Sequence, residues 1–312
     1  MVLAARTHCE LGESARAGQI AAGALEAATE ANDAWSMGWA LHVLTIVTAV
    51  QGRIASALPL FDRALAVTET APALTDLRLL LQLNQAIALG KLDQYELALA
   101  AAGQVMSLIS QVGTTLRLGQ AHSALGQLLF ETGRWDDALA EVTVMDGDLK
   151  EPGGACCDLG IAAVICFHRG ETDAARRHLA AAAPYASLIG RRLIGPLTLA
   201  RSLDREQDGA LPEALAVLTD VLGGDTEELR EVQDLLADAV RLAVATGDLA
   251  AGRTLMHQAT ALADDSGIPH READALYCRG LLDHDASFAG ALEVYTALGA
   301  MADLARLRAT PR

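Results

Sequence analysis

Aromatic residues and lysines are scarce in this sequence. Aromatic side chains make up only 4% of the 312 residues, and lysine occurs only at Lys91 and Lys150. Few aromatics combined with many Ala and Leu residues favour closely packed helices over sheets. Arginine therefore supplies most of the positive charge, which we interpret as the coding bias of a GC-rich genome.

The cysteines do not form a recognisable framework. There are five, which is an odd number, and no group of them has the spacing of a zinc site or a disulfide scaffold. Their apolar surroundings predict buried, unreactive thiols in a reducing compartment. They are Cys9, Cys156, Cys157, Cys166 and Cys278.

The overall charge excludes one class of partner. The formal net charge is -16 at pH 7, and a surface of that sign repels phosphate backbones. We therefore expect no direct nucleic-acid binding by this chain. The hydrophobic fraction of 52% also excludes general disorder.

Two uncharged runs, residues 34–52 and 97–116, are long enough to be considered as membrane spans. Both contain several polar side chains, and both cross repeat boundaries in the alignment described below. They are therefore predicted to be buried helices of a soluble protein with no membrane partner. No signal peptide is recognisable after Met1, so the predicted location is cytoplasmic.

Catalytic and metal-binding motifs are not found. No G-x-x-x-x-G-K-[ST] run is present, since Gly90-Lys91 lacks the upstream glycine, and neither HExxH nor a Ser-His-Asp order can be assembled. We expect no enzyme activity, cofactor or metal. The run Asp283-His284-Asp285 could suggest a metal site, but a solvated helix end is the preferred interpretation because adjacent helical residues point apart.

The strongest pattern is a repeat, which is clearest in residues 121–140, AHSALGQLLFETGRWDDALA. A Leu-Gly pair is followed by a turn glycine, an aromatic residue and an alanine, which resembles the tetratricopeptide repeat. Equivalent turn positions recur every 37 to 41 residues, each followed by a small residue in the next helix. The turn positions are Gly12, Gly52, Asp93, Gly133, Gly170, Gly209 and Gly247.

The repeat predicts an all-α fold with one domain over residues 1–312. The resemblance implies an α-solenoid, a right-handed superhelix of about seven to eight tetratricopeptide-like hairpins with a period near 39. Loops are predicted at Glu151-Pro152-Gly153-Gly154 and at Gly223-Gly224, and Pro184 is expected to end a helix. Thr226 and Asp248 are predicted N-caps.

The repeat length and the last segment also resemble one family. Residues 273–309 resemble the stretch before the helix-turn-helix in the large ATP-binding, MalT-like LuxR-type transcriptional regulators, at Arg279-Gly280-Leu281-Leu282, Ala291-Leu292, Tyr295, Leu298-Gly299 and Ala305-Arg306. The resemblance implies a non-catalytic sensor domain from a high-GC, actinobacterial-type source. Neither the ATPase loop nor the helix-turn-helix of that family is found in this chain.

The tetratricopeptide resemblance also implies a ligand groove, lined by the first helix of each hairpin. An apolar groove with scattered polar groups suits a small-molecule effector or a peptide segment of a protein. Its candidate residues are Trp39, His42, Ser123, Gln127, Phe130, Phe167, His168, Arg241 and Tyr277. Trp35 and Trp39 lie one turn apart, and a packed core pair is favoured over a binding platform.

Two alternatives stay open at this stage. The chain is either an effector-sensing domain of a LuxR-type regulator or a stand-alone adaptor that scaffolds protein–protein interactions. The end repeats are predicted to lack polar caps, with uncovered apolar surface around Ile20 to Leu25 and at Leu304 and Leu307. Self-association through an end is therefore expected.

Overall fold

A computed structural model describes residues 1–189, 194–223, 232–283 and 287–309, and all regular secondary structure in these ranges is helical. The all-α prediction is confirmed, and helices pack against their sequence neighbours as expected for an α-solenoid. The chain divides into two compact units, Met1–Ala124 and Leu125–Arg312.

The first unit consists of successive helical hairpins. The second helices bury mainly alanines against the first helices, and these small side chains allow close packing. A short 3-10 turn, Pro72–Leu74, precedes the fifth helix. The helices are α1 (Val2–Glu10), α2 (Ser14–Glu30), α3 (Ala34–Val50), α4 (Ile54–Glu69), α5 (Thr75–Gly90) and α6 (Tyr95–Val112), and α7 (Thr115–Glu131) begins in this unit.

The second unit continues the pairwise arrangement. Its largest apolar cluster lies in the last hairpins and includes the fully buried Tyr277 and Tyr295. The helices after α7 are α8 (Trp135–Thr143), α9 (Pro152–His168), α10 (Thr172–Ile189), α11 (Gly195–Gln207), α12 (Leu211–Leu222), α13 (Leu236–Thr246), α14 (Leu249–Ser266), α15 (Pro269–Asp283), α16 (Ser287–Leu298) and α17 (Met301–Ala309).

The predicted turn positions have a common backbone conformation. All seven have φ between 60° and 81°, in the left-handed region that ends a helix and that glycine adopts without strain. Asp93 is the one non-glycine among them, and aspartate tolerates this region better than most residues. The small residues that follow are buried, with Ala17, Ala57, Ala98, Ala138, Ala175 and Ala214 all fully inaccessible.

Two helix boundaries differ from the sequence prediction. The stretch predicted as a loop at Glu151-Pro152-Gly153-Gly154 is instead the start of α9, with Pro152 as its first residue. Proline fits there because the first helical N–H needs no partner and the fixed φ suits the helix. Pro184 does not end α10, which continues to Ile189.

The predicted uncovered end surfaces are also wrong. Ala21 and Ala24 are buried, Ala21 in a cluster with Val43 and Val47 of α3, and Leu304 and Leu307 are buried within the largest cluster of the second unit. Apolar exposure occurs instead on α1 at Leu3 and directly after it at Leu11, among other residues. Self-association stays a prediction.

The remaining predictions have mixed outcomes. Asp248 caps α14 by accepting a hydrogen bond from the Ala251 N–H, whereas Gly224 and Thr226 lie outside the described residues. Cys156, Cys166 and Cys278 are buried, while Cys9 and Cys157 are half-buried. Across the described ranges, every helix is too short or too polar to cross a bilayer.

Gly160 sets the spacing between α9 and α11. A Cβ added there would lie 2.5 Å from the backbone nitrogen of Leu197, so we expect Gly160→Ala to lower the free energy of unfolding by about 1–3 kcal/mol. Gly103, exposed on α6 with nothing within 4 Å of an added Cβ, is the matched control, and Gly103→Ala should stabilise by about 0.5–1 kcal/mol. Urea unfolding of both variants tests this, and equal stabilisation would contradict the close approach.

Candidate functional site

Trp39 is the centre of a polar and aromatic cluster on the first helices of the first unit. The Arg6 guanidinium carbon of α1 lies 4.0 Å from the Trp39 ring centroid. Trp35 lies 6.4 Å from Trp39, and His42 meets it edge-to-face at 5.4 Å. Asn84 of α5 contacts His42 through Nδ2 and Nε2, 3.2 Å apart. We call these five residues the Trp39 cluster.

Local sequence places the α3 members of this cluster. Asp33 caps α3 by accepting hydrogen bonds from the backbone N–H groups of Trp35 and Ser36, which fixes Trp35 in the first turn. Trp39 follows one helical turn later on the same face. Gly38 is buried, and a Cβ there would lie 3.0 Å from a Leu77 methyl, so this glycine lets α3 and α5 approach closely.

His42 is neutral at pH 7. Its burial, together with the positive charges of Arg6 and Arg117, lowers the pKa of the imidazole to about 4. When the Asn84 amide donates to Nε2, the ring proton must be on Nδ1. Nδ1 is buried and has no hydrogen-bond partner in the part of the chain that the structure describes. An unsatisfied buried donor costs about 1–3 kcal/mol.

Arg6 differs from Arg117, the other arginine whose charge acts on His42. Arg117 is buried and donates to both carboxylate oxygens of Asp76, at 2.9 and 2.7 Å. Arg6 is half-buried, and among the described residues its guanidinium has neither a hydrogen-bond acceptor nor a carboxylate partner. The guanidinium contacts the Trp39 ring instead.

The tryptophan pair is not a core pair. Trp35 and Trp39 share a face as predicted, but Trp35 is 44% exposed. The preferred sequence interpretation is therefore wrong for Trp35. Its indole presents an accessible aromatic surface beside Trp39.

The second unit contains a buried ionic cluster centred on Arg306 of α17. The guanidinium lies 2.5 Å from Asp303, 3.2 Å from Asp274 and 3.2 Å from Asp238. It also donates to the Tyr295 hydroxyl, which donates in turn to Asp274. His270 completes the set at 3.3 Å from Asp303. We call these six residues the Arg306 network.

The network attaches α17 to the first helices of the last two hairpins. Asp238 lies on α13 and Asp274 on α15, so both helices are covered by α17 at these positions. At its other end, Met301 packs against Gly133, where an added Cβ would lie 2.1 Å from the Met301 Cβ. The chain's own last helix therefore occupies part of the surface on which ligand-binding residues were predicted.

A metal is not needed to balance these carboxylates. His270, Asp274 and Asp303 bring their ligand atoms within 4.8 Å of one another, a separation that a metal ion could bridge. The Arg306 guanidinium already contacts both aspartates, so a positive charge is already present there. The metal candidate from the sequence, Asp283-His284-Asp285, lies mostly outside the described residues.

The stability of the α17 contact should depend on pH. Burial alone would lower the pKa of His270, but Asp303 and Asp274 outweigh it and raise the pKa to about 9. Because this folded pKa is above the unfolded value of about 6.5, the stabilisation is fully present below pH 6.5 and is lost as pH rises through 9. We expect the free energy of unfolding to fall by about 2–3 kcal/mol between pH 6 and pH 9.5.

Urea unfolding at pH 6 and pH 9.5 measures this effect, with His270→Gln as the control that should lack it. A His270 imidazole that titrates near 6.5 by NMR would contradict it. The pKa of Asp303 is also shifted: burial would raise it, but Arg306 and His270 lower it to about 2. That contribution is present above the unfolded pKa of about 3.9 and is lost only as pH falls through 2.

The predicted groove residues are only partly brought together. Tyr277 is fully buried, and Phe167 is 4% exposed, so the expectation that they line an open groove is wrong. Arg241 is engaged by both Glu206 oxygens at 2.6 and 2.7 Å. His168 is exposed and stacks on Trp135 with centroids 5.6 Å apart.

The other three candidates are half-buried. Phe130 packs on the apolar cluster that contains Phe167. The Gln127 amide donates to Glu131 at 3.0 Å, and Ser123 lies on the first-unit part of α7. Trp39 and His42 are two candidates whose rings contact each other directly.

Sequence reasoning missed Arg6 and Asn84. Asn84 contacts His42, and Arg6 acts electrostatically on the same imidazole. Arg6 belongs to a different hairpin and reaches Trp39 by the length of its side chain. Its one sequence signal was its position on the first helix of a hairpin.

Comparison with models of known protein families gave no match, and comparison with curated proteins gave no significant relative. What this chain does must therefore be inferred from its own residues.

Proposed function

We propose that this chain is an effector-binding regulatory domain of a LuxR-type transcriptional regulator and that the Trp39 cluster is its binding site. The observation that supports a site there is Arg6, a half-buried cation on a tryptophan face with no carboxylate partner among the described residues. The exposed Trp35 beside it offers apolar contact area. Aromatic surface next to convergent polar groups is typical of a binding site for a small organic molecule.

The cluster is suited to regulation because its members come from three hairpins. Arg6, Trp39 and Asn84 lie on α1, α3 and α5, so a ligand that contacts all three would fix the relative positions of those helices. Binding that favours one arrangement of hairpins shifts the population toward it. Such a shift would change the contacts between this domain and the module that it controls when the site is occupied.

The second unit supports the same choice of site. Its corresponding first helices α13 and α15 are covered by α17, and Arg241 and Tyr277 are already engaged or buried. A small ligand would have to displace the Arg306 network to bind there. The Trp39 cluster needs no such displacement.

Thermal unfolding with a panel of small organic acids, sugars, amino acids and nucleosides tests the proposal. We expect at least one compound to raise the melting temperature of the wild type, as selective binding to the folded state requires. The increase should be absent in Trp35→Ala and retained in Leu97→Ala, a change at another exposed apolar residue of the same unit. An increase that survives Trp35→Ala would place the binding site elsewhere.

The regulator and the adaptor alternatives differ in their neighbouring modules. A phosphate-binding loop or a helix-turn-helix encoded in the same reading frame would support the LuxR-type assignment. A reading frame limited to helical repeats would favour the adaptor, for which the partner would be a protein segment.

A further inference from the structure

We infer that the Trp39 cluster binds a planar organic monoanion, an aromatic carboxylate, with its ring against Trp35 and its carboxylate on Arg6 and Asn84. This inference rests on the proposed function, since it names the class of effector for the same site. It depends on three features of the cluster: one unpaired cation, one exposed indole and one amide with spare donor capacity.

The charge of the ligand follows from the two arginines. Asp76 holds Arg117 by two hydrogen bonds, which neutralises one of the two cations that act on His42. His42 is itself neutral at pH 7. Arg6 is thus left as one uncompensated positive charge, which matches one negative charge on the ligand. A guanidinium is well suited to a carboxylate because it can donate two parallel hydrogen bonds.

The shape of the ligand follows from the two indoles. Arg6 covers the Trp39 ring at 4.0 Å, so Trp39 positions the guanidinium and is less available to a ligand. Trp35 is 44% exposed and its ring centroid lies 6.4 Å from that of Trp39. A flat ring stacked on Trp35 would lie near the guanidinium, and aromatic pairs of this kind prefer offset or tilted contacts at such separations.

Asn84 supplies the second donor. One amide N–H is directed at His42 Nε2, and the half-buried amide has no other hydrogen bond recorded among the described residues. Its second N–H can therefore donate to a carboxylate oxygen. His42 acts here as a positioning residue, because its acceptor nitrogen orients the Asn84 amide.

An acidic peptide is a less suitable occupant. Such a segment would bring several carboxylates, whereas the cluster offers one unpaired cation. A second negative charge on the ligand would have no cation of the cluster to balance it. The charges therefore favour a monoanion over a polyanionic chain.

NMR of the three indole N–H groups provides the test, because Trp135 in the second unit is an internal control. The probes are 1-naphthoate and its neutral isostere 1-naphthamide. We expect saturable shifts of the Trp35 and Trp39 signals with 1-naphthoate, no shift of Trp135, and binding at least tenfold weaker for 1-naphthamide. The pKa of His42 should rise when 1-naphthoate binds, because a nearby anion favours the imidazolium.

Variants separate charge from packing. Arg6→Met keeps an unbranched side chain over Trp39 and removes the charge, so it should weaken 1-naphthoate binding about tenfold or more and abolish the preference over 1-naphthamide. Arg6→Lys should retain part of the preference. Trp35→Ala should weaken the binding of 1-naphthoate and of 1-naphthamide by the same factor. Circular dichroism melting of each variant verifies that it folds.

The outcomes distinguish this inference from the proposed function. Equal affinities of 1-naphthoate and 1-naphthamide, with shifts at Trp35 and Trp39, would contradict the inference that the ligand is a monoanion. They would still support a binding site at the Trp39 cluster. Tight binding of an acidic peptide, but not of 1-naphthoate, would overturn the inference in favour of a protein partner. If neither probe shifts Trp35 or Trp39, the aromatic carboxylate is wrong, and the compound panel then decides whether the site binds another class of ligand.

Discussion

Arg306→Met is expected to lower the free energy of unfolding of the second unit by about 3–5 kcal/mol. The substitution removes the cation that contacts Asp238, Asp274 and Asp303, all of which have side chains no more than 13% exposed. Buried carboxylates that lose their counter-ion keep the cost of desolvation without the compensating attraction. Chemical unfolding of the full chain measures the change.

The loss of stability in Arg306→Met should be concentrated in the helices that Arg306 joins. Amide hydrogen exchange should show reduced protection in α17 and at its contacts on α13 and α15, because Arg306 joins these three helices. Arg306→Lys should recover only part of the stability, since an ammonium cannot reproduce the planar contacts of a guanidinium. Arg201→Met, at an exposed arginine of α11, is the control and should change stability by less than about 0.5 kcal/mol. An Arg306→Met variant as stable as this control would contradict the network.

The sequence predicted the hairpins because their requirements repeat. A left-handed turn favours glycine, and a close contact between helices favours alanine, so the same residue types return at the same place in each hairpin. Gly52 and Ala57 illustrate this, with a φ of 81° at the first and no exposed surface at the second. The prediction needed only residue type and spacing.

The position of α17 could not be predicted in the same way. Its contacts join Arg306 to residues 32 and 68 positions earlier, and neither separation is a multiple of the repeat. Asp238 and Asp274 each look like an ordinary polar residue of a helix surface. The ion pairs exist because α17 folds back on the unit, and the hairpin pattern contains no information about that return.

The Trp39 cluster was half predicted for a related reason. Trp39 and His42 lie on one face of a single helix, so helical periodicity places them together. Arg6 and Asn84 join them from neighbouring hairpins through contacts whose geometry depends on side-chain length and rotamer. Local pattern thus identified the α3 wall of the cluster but not the groups that give it charge and donors.

Lys150→Met is also expected to lower the free energy of unfolding by about 3–5 kcal/mol. Lys150 is one of only two lysines in the sequence. Lys150 is 3% exposed, and its Nζ lies 2.6 Å from an oxygen of Asp158, which is 1% exposed. The ammonium also donates to the Val142 carbonyl at 3.0 Å. This pair fixes the connection between α8 and α9, and its removal leaves the Asp158 carboxylate buried without its cation.

A double variant separates the cost of a broken pair from the value of the intact one. Lys150→Met combined with Asp158→Leu replaces both charges by apolar groups, which is often neutral or stabilising for a buried pair. We therefore expect the double variant to recover most of the stability lost in the single one. Urea unfolding of the wild type, both single variants and the double variant gives the coupling energy directly. Additive losses in the double variant would mean that the two side chains stabilise α9 independently and not as an ion pair.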